Sequence, residues 1–287
     1  MSVYFNRQIE LKLMQKSAPV LFVHKRSFDT PEGFSLHLND CVEVYVYVSG
    51  ETDYIIEENY HTLRPGDIMV ISPHEVHVPV LKSPCEYERF YLLFPLDTFA
   101  DYRFDPLLPF VTRQKGASAR LALSAQEKDK ALDILHQISA LCKADPSPGD
   151  QLTAWGLTTQ FLGLLSPISQ TCGDEEPSGI PVLLRQILQF ISISPQELKS
   201  VGDIAKHFHI SPPYLSALFK KHVGVTASSY LRIKKIALAK KLLEAGNSVA
   251  YTCYECGFSD SSHFIKNFKN FTGITPYQYK EIHTKKR

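Results

Sequence analysis

The last hundred residues contain the same short pattern twice, and this internal repeat is the strongest evidence for how the chain folds. Residues 219–226 align with residues 268–275 at a constant offset of 49, and Phe, Lys, Gly and Thr recur at matching positions. Upstream, residues 203–211 resemble residues 251–259 at an offset of 48. Each copy predicts a helix, a tight turn and a second helix. Two such units on one chain favour recognition of duplex DNA.

The first copy has clear helix boundaries. Ser200 and Asp203 are spaced as an N-cap and its capping-box partner. Ser211 is placed to cap the second helix, and Gly224 to end it. We therefore predict a helix-turn-helix over about residues 200–222. Its outward-facing candidates for DNA contact are Pro213, Ser216, Ala217, Lys220 and Lys221.

The second copy, over about residues 248–271, follows the same logic. Ser248 caps its first helix, Gly257 supplies the turn and Asp260 caps the reading helix. The exposed candidates for DNA contact are Ser261, Ser262, Lys266 and Lys269. Between the copies, residues 228–244 have helical periodicity and predict one stiff connecting helix. Such a connector could hold two reading helices about 34 Å apart, one turn of B-DNA.

Charge divides the chain in the same way. Residues 180–287 contain 16 Lys and Arg against 6 Asp and Glu, a net charge of +10. Residues 1–179 contain 15 against 24, a net charge of −9. A basic segment favours phosphate contacts, whereas the acidic segment is not expected to touch DNA. Individual lysines can simply solvate helix faces, but that reading does not explain the asymmetry.

These motifs together resemble a known family. The segment from Ile180 to Tyr279 is similar to the DNA-binding domain of AraC/XylS transcriptional regulators. The resemblance implies homodimers, contact with RNA polymerase and a helix-turn-helix pair that reads bases. It implies base-facing positions at Pro213, Ser216, Ala217, Ser262 and Lys266. Ala217 departs from the family, where many members carry a longer polar side chain, so only a thymine methyl contact is expected there.

The N-terminal residues 1–115 change to a period of two. Val42–Val48 alternates β-branched and aromatic residues, residues 68–71 form a short apolar run, and residues 87–94 predict a later strand. We therefore predict an α+β multidomain protein with an N-terminal β-barrel or sandwich. His37, Asn39, Glu43 and the turns at 65–67 and 73–77 resemble the cupin-like sensor domain of the same family, over roughly residues 15 to 112.

Two readings of this domain remain open. His37, Glu43 and His77 stand where cupin enzymes hold a metal, which would indicate a metal-dependent oxidoreductase or isomerase. Asn39 argues against it, because an amide replaces the second imidazole. We prefer a non-enzymatic sensor without metal or other cofactor, binding a sugar or other small polar effector. The candidate ligand residues are His37, Asn39, Glu43, Tyr45, Tyr47, Tyr54, His74, His77, Arg89 and Tyr91. Alternatively, half of the tyrosines face solvent and the histidines bond backbone.

Residues 116–166 predict a helical hairpin that opens with a capping box at residues 124–127. The family resemblance makes it the dimerisation element, with Leu135, Ile138 and Cys142 on one stripe. Packing back on the β domain is the alternative. Residues 167–179 have the composition of a flexible linker to the DNA-binding domain.

Several classes are disfavoured. The chain has no run of eighteen apolar residues and no apolar stretch near its start, which predicts a cytoplasmic protein without membrane association. The six cysteines are too scattered for a disulfide framework. Cys253 and Cys256 form a CxxC inside a predicted helix, where small core residues are expected rather than a redox or zinc site. The whole pattern predicts a ligand-responsive transcriptional regulator, with effector, operator and direction of regulation left open.

Overall fold

A computed structural model describes residues 5–11, 19–99, 105–112, 117–165 and 180–284. They form two compact units. The N-terminal unit contains most of the described chain up to residue 165, and the C-terminal unit contains residues 180–284 together with two short segments, 34–38 and 74–80. The predicted linker, residues 167–179, lies outside the described residues. The expected α+β class, with strands first and a helical domain last, is confirmed.

Eight strands lie in the described part of the chain. They are β1 (Phe5–Leu11), β2 (Val20–Asp29), β3 (Val42–Ser49), β4 (Thr52–Ile56), β5 (Asn59–Thr62), β6 (Ile68–Ile71), β7 (His77–Leu81) and β8 (Cys85–Phe94). Five of them form one antiparallel sheet in the order β1, β2, β8, β3 and β6. Strands β4 and β5 form an antiparallel hairpin. The apolar and alternating runs therefore predicted β3, β6 and β8 correctly.

Strand β3 is buried on both faces, which explains why its sequence is so apolar. Val44 lies in the hydrophobic core with Phe90 and Leu92 of β8. The alternate residues Glu43 and Tyr45 lie on the opposite face of the sheet, where they are also buried.

Three helices belong to the N-terminal unit: α1 (Leu108–Val111), α2 (Ala125–Ala140) and α3 (Pro148–Leu165). The predicted capping box opens α2, with the Ser124 amide donating to the Glu127 carboxylate at 2.7 Å. Helices α2 and α3 pack on each other. Their apolar sides, including Ile138 and Phe161, complete the core that covers one face of the sheet.

The C-terminal unit is helical. Its helices are α4 (Val182–Ile193), α5 (Val201–His207), α6 (Pro212–Val223), α7 (Ala227–Glu244), α8 (Val249–Glu255), α9 (Ser261–Thr272) and α10 (Pro276–Thr284). A short 3-10 helix, Pro195–Glu197, precedes α5. Helix α7, which begins one residue before the predicted connector, contacts α5, α6, α8, α9 and α10. In the described ranges, no helix is long and apolar enough to cross a membrane.

Candidate DNA-binding surface and polar cluster

The two reading helices expose every side chain that the sequence proposed for DNA contact. The exposed residues are Pro213, Ser216, Ala217, Lys220 and Lys221 on α6, and Ser261, Ser262, Lys266 and Lys269 on α9. The opposite sides of the helices are buried, with Leu215 and Phe219 on α6 and Phe264 and Phe268 on α9. Each helix therefore offers one polar, partly basic face to solvent.

Both reading helices begin and end with the same local chemistry. The Ser211 hydroxyl accepts the Tyr214 amide at 3.3 Å, and the Asp260 carboxylate accepts two amides at the start of α9. Gly224 and Gly273 end the helices with φ of 78° and 80°. These left-handed positions favour glycine, so the repeated Gly in the sequence marks the repeated helix end.

The CxxC at the C-terminal end of α8 is a core feature. Cys253 and Cys256 are buried beside Phe264 and Phe268. Burial raises the pKa of Cys256 to about 12, so its thiol stays protonated at neutral pH. This environment agrees with the structural role expected for the pair.

The N-terminal unit contains a buried polar cluster on the sheet face opposite the helices. Tyr45 and Tyr87 hydrogen-bond through their hydroxyls, and the rings of Tyr45 and Tyr54 lie 4.7 Å apart. All three side chains are at most 2% exposed. Burial raises their pKa values well above 10, so the hydroxyls remain neutral.

Arg89 supplies the positive charge of this cluster. Its guanidinium lies 4.1 Å from the centre of the Tyr87 ring, and its Nη1 is 3.1 Å from an Asp29 carboxylate oxygen. Tyr91 follows on the same face of β8, and burial raises the pKa of its hydroxyl. Arg89 and Tyr91 were predicted from the sequence as ligand residues, whereas Tyr87 and Asp29 were not. The period of two along β8 could have identified Tyr87.

The carboxylate of Glu43 belongs to the same face. The Asn39 side-chain amide donates to it at 2.6 Å. Its negative charge adds to burial in raising the pKa values of Tyr54 and Tyr91. Tyr47 differs from these residues, because its hydroxyl donates to the Gly50 carbonyl and so braces a turn. Burial raises the pKa of Tyr47 to about 12.

The three histidines proposed as ligand residues lie in the C-terminal unit. His37 and His77 exchange two backbone hydrogen bonds of 3.1 and 2.9 Å, and their rings lie 4.2 Å apart. His74 has a φ of 64°, and its Nε2 is 3.0 Å from the Glu244 carboxylate at the end of α7.

The predicted interface stripe on α2 packs inside the N-terminal unit. Leu135 and Ile138 are fully buried in its hydrophobic core, and Cys142 is half-buried against it. Burial raises the pKa of Cys142 to about 11. These three side chains therefore pack back on the β domain, which was the alternative interpretation of the hairpin. The apolar face of the sheet needs such a cover.

A second polar group links α2 to the sheet, and no local sequence pattern indicates it. His24 on β2 is 2.8 Å from both the Ser139 hydroxyl and the Glu88 carboxylate. A carboxylate only accepts, so Nε2 carries the proton and Nδ1 accepts from Ser139. Burial outweighs the charge of Glu88 and lowers the pKa of His24 to about 4, which keeps the ring neutral.

Comparison with known proteins agrees with this architecture. Residues 204–282 match a family model described as a helix-turn-helix domain. The chain is 24% identical over 246 residues to the uncharacterized HTH-type transcriptional regulator YpdC of Escherichia coli strain K12, covering 84% of this chain and 82% of the relative. It is 21% identical over 262 residues to the melibiose operon regulatory protein of that strain, covering 88% and 85%.

A solved structure is also similar. A transcriptional regulator with an AraC-type DNA-binding domain from Chromobacterium violaceum is 27% identical, covers 35% of this chain and 91% of its own, and has a TM-score of 0.33. The helix-turn-helix match runs from α5 into α10 and includes both copies of the repeat.

Proposed function

We propose that this chain, a ligand-responsive DNA-binding transcriptional regulator of the AraC/XylS family, senses a small neutral polyhydroxy compound such as a sugar. The buried cluster of Tyr45, Tyr54, Tyr87 and Arg89 carries the proposal. Buried hydroxyls and charges lose their hydration and need hydrogen-bonding partners, and this cluster brings several such groups together on one face of the sheet. Aromatic faces with hydrogen-bonding tips suit a polar ring. The ion pair between Arg89 and Asp29 balances the charge, which favours a neutral effector over an anion.

The effector proposal is tested by thermal-shift and calorimetric titration with neutral sugars, sugar acids and sugar phosphates. We expect saturable binding of a neutral member. Tyr54→Phe should weaken it by about 1 kcal/mol through loss of one hydrogen bond. Tyr47→Phe is the matched control, because the Tyr47 hydroxyl already bonds Gly50. Exclusive binding of anions, or no binding by any member of the panel, would contradict the proposal.

Both reading helices are proposed to contact one operator. We expect Lys266→Ala to cost about 1–3 kcal/mol on a duplex selected in vitro by the wild-type protein, and little on random DNA. Lys269→Ala, at the C-terminal end of the same exposed face, should weaken both duplexes equally if it contacts phosphate. An equal loss on both duplexes for Lys266→Ala would make that residue a phosphate contact as well. RNA polymerase is the proposed partner of the assembled regulator on DNA.

The proposed homodimer interface is the outward face of α3. Residues 151–165 contain no charged residue, and Leu152 is 74% exposed. A Cβ at Gly156 or Gly163 would meet no atom within 4 Å, so a partner helix could approach closely there. Gly156→Arg therefore fits the single chain but should dissociate the dimer in sedimentation velocity. Gln137→Arg, on the exposed side of α2, is the control. An unchanged dimer with Gly156→Arg would reject this face.

The competing function is that of a metal-dependent oxidoreductase or isomerase. Metal analysis of the purified protein distinguishes it from the proposed regulator. We expect substoichiometric transition metal and DNA binding that chelators leave unchanged. One tightly held metal per chain would favour the enzyme instead.

A further inference from the structure

A buried lysine in the connecting helix touches the turn of the second helix-turn-helix. Lys235 is 5% exposed, and its Nζ donates to the Gly257 carbonyl at 3.0 Å. The same ammonium lies 5.3 Å from the centre of the Phe258 ring. Gly257 and Phe258 form the turn between α8 and α9. The lysine therefore holds the turn that leads into the second reading helix.

The same turn also presses against the segment that leads into the first helix-turn-helix. Gly257 has a φ of 67°, and a Cβ on it would lie 2.1 Å from the Gln196 carbonyl oxygen and 3.3 Å from the Lys235 ammonium. Gln196 belongs to the 3-10 helix that precedes α5. This is a direct approach of backbone to backbone between the two halves of the C-terminal unit.

Charge on α5 reaches the same ammonium. Burial lowers the pKa of Lys235, and the negative charge of Asp203 on α5 partly opposes that effect. A buried cation is costly unless it gains partners, so a residue that only filled space here would be more stable as an apolar side chain. Lys235 instead donates to the turn of the second helix-turn-helix, and Asp203 of the first acts on it through charge alone.

The connecting helix sets the distance between the units along its axis, since its 18 residues span ~27 Å. Its apolar side also packs in one core with α8, α9 and α10. The hydrogen bond from Lys235 to the Gly257 carbonyl adds a directional contact beside Gln196, which restricts how far the second unit is rotated about that axis.

We propose that Lys235 is a positioning residue that sets the angular phase between the two reading helices, and so the spacing of half-sites that the protein accepts. This inference rests on the proposed reading of one operator by both helices. It predicts a residue that touches no DNA and yet controls specificity for operator geometry.

The test uses the full-length protein and a duplex selected in vitro from random sequence by the wild-type chain. Variants of that duplex carry one or two inserted base pairs between the two footprints, each turning the half-sites by about 34°. Wild-type affinity should fall sharply with each insertion. Lys235→Met keeps the apolar stem and removes the hydrogen bond, so it should bind the parent duplex about tenfold more weakly and lose less on insertion.

Lys240→Met is the matched control. Lys240 is on the same helix, equally buried, and its ammonium lies 5.2 Å from the centre of the Tyr279 ring in α10. Lys240→Met should keep the wild-type spacing profile. Lys235→Arg, which keeps a cationic donor at position 235, should also show the wild-type profile. If Lys235→Met fails to fold, Lys235→Gln takes its place in the same comparison.

The outcomes are distinct. A folded Lys235→Met protein with the wild-type spacing profile, or an equal loss on duplexes with one and two half-sites, would overturn the inference. A wild-type protein that is indifferent to spacing would instead contradict the reading of one operator by both helices.

Discussion

His209 and Gly257 occupy equivalent positions in the two repeats, and both have left-handed backbones with φ of 53° and 67°. Only the second is packed against backbone, at the Gln196 carbonyl. We therefore expect Gly257→Ala to destabilise the C-terminal unit by about 2–4 kcal/mol, whereas His209→Gly stays within ~1 kcal/mol of wild type. Urea unfolding followed by helical circular dichroism measures both. Equal effects would mean that the turn geometry, and not the contact, governs stability.

His24 makes the stability of the N-terminal unit depend on pH. Its pKa is lowered from 6.5 to about 4 on folding. The stabilisation is therefore complete above pH 6.5 and is lost as pH falls towards 4, by roughly 3 kcal/mol in total. The single Trp, Trp155, lies in this unit's core and reports its unfolding in urea. His24→Gln should flatten the profile between these pH values, and His136→Gln, an exposed neighbour, should not. Matching profiles for the two variants would exclude His24 as the source.

At the residue scale, the sequence predicted what depends on neighbours along the chain. The caps at Ser211 and Asp260 are read from spacing alone, and the structure confirms their hydrogen bonds. The roles of Tyr47 and Tyr87 could not be separated in this way. Strand register decides that one hydroxyl meets a turn carbonyl and the other meets Tyr45, and register is a property of the folded sheet.

At the element scale, the capping box located the start of α2, and periodicity located α7 to within a residue of its predicted bounds. It also identified the apolar stripe of α2. It could not say what covers that stripe, because a subunit interface and an intramolecular core demand the same apolar residues. Periodicity also could not show that residues 74–80 belong to the C-terminal unit, since long-range packing leaves no local pattern.

The α2 stripe gives an element-scale prediction. Leu135→Glu with Ile138→Glu would bury two carboxylates in the N-terminal core, so we expect loss of at least about 3 kcal/mol of stability rather than simple dissociation. Trp155 emission and urea unfolding measure the loss. Gln137→Glu, exposed on the same helix, should be neutral. A folded monomer with native Trp155 emission would return these side chains to a subunit interface.

On the scale of the whole molecule, the net charge of +1 conceals a division that matters for DNA. Residues 180–287 carry +10, and the lysines proposed for DNA contact are exposed on α6 and α9. Residues 1–179 carry −9. Because counterion release depends on the charges at the DNA contact and not on the total, a nearly neutral protein can still bind in a strongly salt-dependent way.

The intact chain should accordingly lose on the order of a thousandfold in affinity for its selected duplex between 50 and 200 mM salt. Lys220→Ala and Lys221→Ala should each reduce the slope of log affinity against log salt by about 1 if they neutralise phosphates. A fragment of residues 1–165 should not bind duplex DNA at any of these salt concentrations. Fluorescence anisotropy across the salt series measures all three. A shallow slope for the wild-type protein, or DNA binding by the N-terminal fragment, would show that the basic half does not form the phosphate contact.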